Sequence, residues 1–154
     1  MKLAEALALR ADIQKDLASL KARIIDNAQA KEGGQPSENP RALLEQVCAA
    51  ADELQRLIRC INKTNANTEL EPGMTLADAL AMRDNLKIKH DTYNSLGKAA
   101  TITYSHYCQS ELTLKLQGTV EVSEIRKEAH EIARAFRKID MQIQEKNWAV
   151  ELVA

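Results

Sequence analysis

The chain has 154 residues, the size of one ordinary domain, and is 45% hydrophobic but only 3% aromatic. Its core must therefore be Leu, Ile, Val and Ala, which suits helix seams better than a β-sandwich, and 5 Gly with 3 Pro leave few turns and long elements. With 21 basic and 22 acidic residues the net charge is −1, so the totals supply no basic face and nucleic acid binding is not expected.

The first helix is predicted over 2–30. Leu3, Ala6, Ile13, Leu17, Leu20 and Ile24 recur on a 3-4 rhythm, a coiled-coil-like seam interrupted by Arg10 and Asn27. Leu7 and Leu9 widen the apolar face beyond a two-position stripe, which implies more than one packing partner. Lys31 to Glu38 holds Gly33, Gly34 and Pro36 and lets the chain reverse. Asn39 then offers a cap and Pro40 suits the first helical position.

A second helix over 40–63 repeats the rhythm with Leu43, Val47, Ala50, Leu54, Leu57 and Ile61. Leu44, Ala51 and Ile58 form a neighbouring row at seven-residue intervals. Residues 2–63 thus read as an antiparallel helical hairpin. A loop from Asn62 to Met74 contains Pro72-Gly73, and Thr75 with Asp78 resembles a capping box. The third helix, 76–99, has Leu76, Leu80, Leu86, Tyr93 and Leu96 on its apolar side, with Arg83 and His90 near the seam and Gly97 weakening the last turn.

Residues 101–122 change character. Leu112 to Leu116 alternates at period two, Gln117-Gly118 offers a turn, and Val120-Glu121-Val122 alternates again, which predicts a β-hairpin over 112–122. Ser123 is then the expected cap of a helix over 124–146 with the stripe Ile125, Ala129, Ile132, Phe136, Ile139 and Ile143. Asn147 is the expected stop, with Trp148 in the tail. The fold class expected is mainly α: a coiled-coil-like bundle of long antiparallel helices with one short hairpin, forming a single domain over 1–154.

Catalytic signatures are missing. No phosphate-binding glycine loop or dinucleotide fingerprint occurs. His130-Glu131 begins like a zinc-protease helix, but Arg134 stands where the second His belongs. His106-Tyr107-Cys108 brings an imidazole near a thiol without an orienting third group. No cofactor or metal is expected and the chain reads as a non-enzyme. Cys48, Cys60 and Cys108 are an odd set, and the first two lie about 18 Å apart along one helix, so reduced thiols are expected. With no apolar run long enough to span a bilayer and no secretory signal, the default location is cytoplasmic.

Met1 to Ala8, Ile61 to Asn65, Thr75 to Asp84 and Ile143 to Trp148 together resemble the septicolysin-like family of small bacterial proteins. The resemblance spans nearly the whole chain and implies a helical, self-associating protein, with thiol-dependent membrane activity as the alternative the family label suggests. The first two helices also look like the tRNA-holding arm of seryl-tRNA synthetases, which implies an RNA-binding arm as a third reading. The leading expectation is a structural or interaction protein that forms homo-oligomers through helix seams and the β-hairpin. The polar seam residues Arg10, Asn27 and Arg83 are expected to fix register and assembly.

Overall fold

The structure is a computed structural model that describes residues 1–101, 104–106, 113–115 and 117–153; for 104–106 and 113–115 it describes the backbone. It is mainly helical, with α1 (Leu3–Asp26), α2 (Pro40–Asn67), β1 (Glu69–Glu71), β2 (Met74–Thr75), α3 (Leu76–Ala100), β3 (Tyr104–His106), β4 (Thr113–Lys115) and α4 (Val122–Ala149). None of the described helices is long and apolar enough to cross a membrane. The chain contains two compact units: Met1–Leu76 with Gln144–Ala154, and Ala77–Ile143.

The first unit is organised by the α1–α2 hairpin. Leu3, Ala6, Ile13 and Leu20 on α1, and Leu43, Leu57 and Ile61 on α2, are buried. These are members of the two 3-4 stripes, so heptad spacing located the packed faces. Each such Leu or Ile contributes roughly 1.5–3 kcal/mol when removed from water, and the Ala6 methyl roughly 0.8 kcal/mol. Local chemistry sets the ends. Glu5 reaches back so that its carboxylate accepts from the Lys2 amide at 2.7 Å, an acidic first turn that suits the positive end of the helix dipole. Asn39 Oδ1 accepts from the Arg41 amide at 2.9 Å, with Pro40 opening α2.

α2 runs four residues beyond the predicted stop at Lys63. The Thr64 hydroxyl is buried, donates to the Cys60 carbonyl at 2.8 Å and accepts from the Val153 amide at 2.9 Å. A polar group in the stripe position is thereby satisfied on both sides. Residues 69–75, read from sequence as loop, form a small antiparallel hairpin with Glu69 opposite Thr75 and Glu71 opposite Met74. Pro72-Gly73 makes its turn, and Gly73 takes φ +81, the left-handed backbone that a Pro-Gly type II turn demands. The ends of the chain close this unit: Leu3 N donates to Val150 O and Leu152 N to Met1 O, each at 2.9 Å. Lys2 Nζ donates to the Ala149 carbonyl at 3.1 Å and pairs with Glu151 at 2.9 Å.

The second unit contains most of α3 and α4. These run antiparallel, since Arg83 meets Asp140, Tyr93 meets Glu128, and a Cβ on Gly97 would lie 3.6 Å from Ile125 Cγ2. Ala79, Ala129, Ile139 and Ile143 are buried. The predicted hairpin exists as a two-stranded antiparallel pair, but with a different second strand. Thr113–Lys115 pairs with Tyr104–His106, Tyr104 opposite Lys115, and Val122 begins α4 instead of ending a strand. The reason is the cap. Glu121, not Ser123, opens the helix: its carbonyl accepts from Ile125 N at 3.2 Å and its carboxylate from the Ser123 amide and hydroxyl at 3.3 and 2.9 Å. α4 also continues through Asn147, which is buried, and takes in Trp148. Leu112, Leu116 and the side chains of His106 and Cys108 lie outside the described residues.

Candidate functional site

The three polar seam residues occupy three different settings. Asn27 caps α1 and ties down the reversing loop. Its Nδ2 donates to the Arg23 carbonyl at 2.9 Å, and its Oδ1 accepts from the Ser37 hydroxyl at 2.8 Å and the Glu38 amide at 2.9 Å. Both lone pairs of that oxygen are thus used within the chain. The Arg23 guanidinium forms a two-point pair with Glu38 beside it, and that hydrogen bond holds the Glu38 carboxyl below its usual range. Arg83 lies half-buried on α3, with Nη2 at 3.0 Å from Asp84 and Nη1 at 3.5 Å from Asp140 on α4. It bridges the α3–α4 seam. Arg10 is half-buried on the α1 stripe and has no ion pair among the described residues.

The α3–α4 seam carries a repeating gap. Arg83, His90 and Gly97 stand seven residues apart on α3, each where a large apolar side chain would fill the seam. The first gap is bridged by the Arg83–Asp140 pair. At the second, His90 and the small Ala133 leave a cleft of about 390 Å³, also lined by Lys87, Asp91, Phe136 and Arg137. At the third, Tyr93, Asn94, Gly97, Lys98 and Arg126 line a smaller recess of about 190 Å³. Phe136 belongs to the predicted α4 stripe, yet it stays half-buried and lines the larger cleft.

Polar groups around the larger cleft are positioned on one turn of α3. Asp91 Oδ1 lies 3.5 Å from His90 Nδ1, and the Asn94 amide nitrogen lies 3.0 Å from His90 Nε2. The Asn94 nitrogen also lies 3.3 Å from His90 Nδ1, so Asn94 sits against the edge of the ring with Nε2 as its nearer partner. Lys87 and Arg137 are exposed at the rim and make no ion pair among the described residues. Glu128 accepts the Tyr93 hydroxyl, which pushes the Tyr93 pKa up. The cleft thus combines a half-buried ring, a small residue, an imidazole, a carboxylate and two rim cations.

Lys87, Asp91, Ala133 and Arg137 were not singled out from the sequence. The signal was present in the seven-residue recurrence of Arg83, His90 and Gly97, but the facing residues depend on the α3–α4 register.

A second feature lies on the α1–α2 hairpin. Leu7, Ala11, Ala18 and Ile25 on α1, and Leu44, Ala51 and Ile58 on α2, both sit about 100° around their helix from the seam, in the same rotational sense. In an antiparallel pair this puts both rows on one side of the hairpin. Leu7 and Ile58 are half-buried, while Ile25 is 63% and Leu44 45% exposed. Cys48 on α2 is an exposed free thiol and Cys60 a half-buried one.

A protein of Corynebacterium diphtheriae described as functionally unknown and conserved has a crystal structure with a TM-score of 0.91 to this chain. The two share 40% sequence identity over 99% of each chain. No curated protein matches the sequence. The model of a family of unknown function, DUF6847, matches residues 10–152, and the chain belongs to that family.

Proposed function

We propose that the protein is a non-catalytic helical interaction module that works in the cytoplasm as an assembly of identical copies, joined through the outer face of the α1–α2 hairpin. The observation that carries this reading is the pair of exposed side chains Ile25 and Leu44 in the heptad-spaced apolar rows of that face. A face with a seven-residue repeat accepts another helix with the same repeat, and a second α1–α2 hairpin has one. Two such faces pair isologously, each residue row meeting its own copy. A net charge of −1 sets up little long-range repulsion between copies.

The energetics make the assembly concentration-dependent. Covering the remaining exposure of Ile25 and Leu44 on both copies is worth roughly 1–2 kcal/mol per side chain. Association costs at least about 4 kcal/mol. The test is light scattering on the wild type and on a variant with Ile25→Glu and Leu44→Glu, with circular dichroism to check the fold. Both sites are exposed, so the variant should stay helical and lose the higher-mass species. A variant with unchanged assembly would rule out this face.

A further inference from the structure

We infer that the α3–α4 cleft at His90 and Ala133 is a binding site for a small molecule that joins one carboxylate or phosphate to a flat apolar ring. The inference is independent of self-association, because the cleft lies on α3 and α4 and the proposed assembly face on α1 and α2.

The cleft exists because a seam layer is under-filled. Interhelical layers are normally closed by Leu or Ile. Here His90 on α3 is met by Ala133 on α4, one heptad from the Arg83–Asp140 layer that is closed by an ion pair. The resulting volume of about 390 Å³ falls within the range of ligand pockets, about 300–1,000 Å³. The Phe136 ring gives it an apolar wall, and Ala133 leaves space against which a ring can stack.

Charge then selects the ligand. Lys87 and Arg137 bring two positive groups to the mouth from facing helices. Of the neighbouring carboxylates, Asp140 and Asp84 pair with Arg83 and Glu128 accepts from Tyr93, while Asp91, beside His90, stays exposed in the cleft lining. The rim therefore has two cations against one carboxylate, Asp91, around an apolar floor, which leaves it net positive. A planar carboxylate or a phosphate suits Arg137 in two-point fashion, with Lys87 as a mobile point charge. A neutral ring lacks the partner for the rim, and a bare anion gains nothing from Phe136.

The experiment is a titration of the isotopically labelled full chain followed by amide and imidazole NMR shifts. Benzoate and phenyl phosphate are the probes, with inorganic phosphate and benzyl alcohol as single-feature controls. Benzoate or phenyl phosphate should shift His90 and residues around Ala133 saturably, at least about tenfold more tightly than either control. Ala133→Leu fills the cleft and should abolish the saturable shifts while both cations remain. Lys87→Gln with Arg137→Gln should weaken binding by about tenfold or more and leave the amide spectrum elsewhere unchanged. No saturable shift with either probe, equal binding of inorganic phosphate alone, or undiminished binding by Ala133→Leu would each overturn the assignment.

Discussion

Replacing Asn27 by Ala isolates what holds the α1–α2 hairpin closed at its loop. Three hydrogen bonds disappear: to the Arg23 carbonyl, from the Ser37 hydroxyl and from the Glu38 amide. A net value of about 0.5–1.5 kcal/mol applies to each. Ser37 is exposed and regains water, while the part-buried Glu38 amide loses more. The expected loss is therefore about 2 kcal/mol, and for a chain of this length each kcal/mol lowers the melting temperature by roughly 2–4 °C. Calorimetry should show Asn27→Ala melting about 4–8 °C lower. Ser37→Ala removes one of the three bonds and should cost about a third as much. Combining the two should cost little more than Asn27→Ala alone, since they share a bond. Asn27→Leu discriminates most sharply. A residue in a seam between copies would gain stability from Leu, whereas a loop clamp loses its partners. A higher melting temperature for Asn27→Leu would refute the clamp.

Ile61, 2% exposed in the α1–α2 core, should cost about 2–5 kcal/mol as Ala by chemical denaturation. Leu44→Ala, at 45% exposure, should cost far less under dilute conditions. Gly118→Ala would place Cβ 2.8 Å from the Ala100 carbonyl oxygen. The backbone must then shift, so thermal stability should fall by about 1–3 kcal/mol. Acid should weaken the fold. Lys2, and then the chain's amino terminus, hold the Glu151 carboxyl below its ordinary range, and Arg23 does the same for Glu38. Depressed carboxyl pKa values stabilise above the unfolded value of about 4.3, and that contribution is lost as pH falls through the lower folded values. The melting temperature should drop on going below about pH 4.3, and less so in Glu38→Gln.

Much of this fold was legible because it is built from repeats. Each 3-4 stripe read from the sequence contains residues buried in the structure, from Leu3 and Leu20 on α1 to Ile139 and Ile143 on α4. Asn39-Pro40 marked the start of α2. What escaped depended on contacts beyond the local pattern. Val120-Glu121-Val122 alternates like a strand, but Glu121 caps α4 through its own carboxylate, an unusual residue at that position. Asn147 looks like a helix stop, yet it is a buried position of α4. Pro72-Gly73 has the composition of a loop, yet it turns a two-stranded hairpin whose partners Glu69 and Thr75 lie outside the local turn signal.

The cleft shows the same division. In the sequence Arg83 and His90 fall near the seam of the third helix and Gly97 weakens its last turn. Their consequences differ because α4 answers them with Asp140, Ala133 and Arg126, and only packing reveals that correspondence. Asn27 illustrates the reverse case: a polar residue in an apolar register whose partners come from the following loop, ten and eleven residues away.

The most direct test of self-association is the mass of the unmodified chain in solution, measured by sedimentation equilibrium across a wide concentration range. With Ile25 and Leu44 paired between copies, the mass should rise with concentration from 17.1 kDa to at least twice that value. A mass fixed at 17.1 kDa throughout would contradict the account.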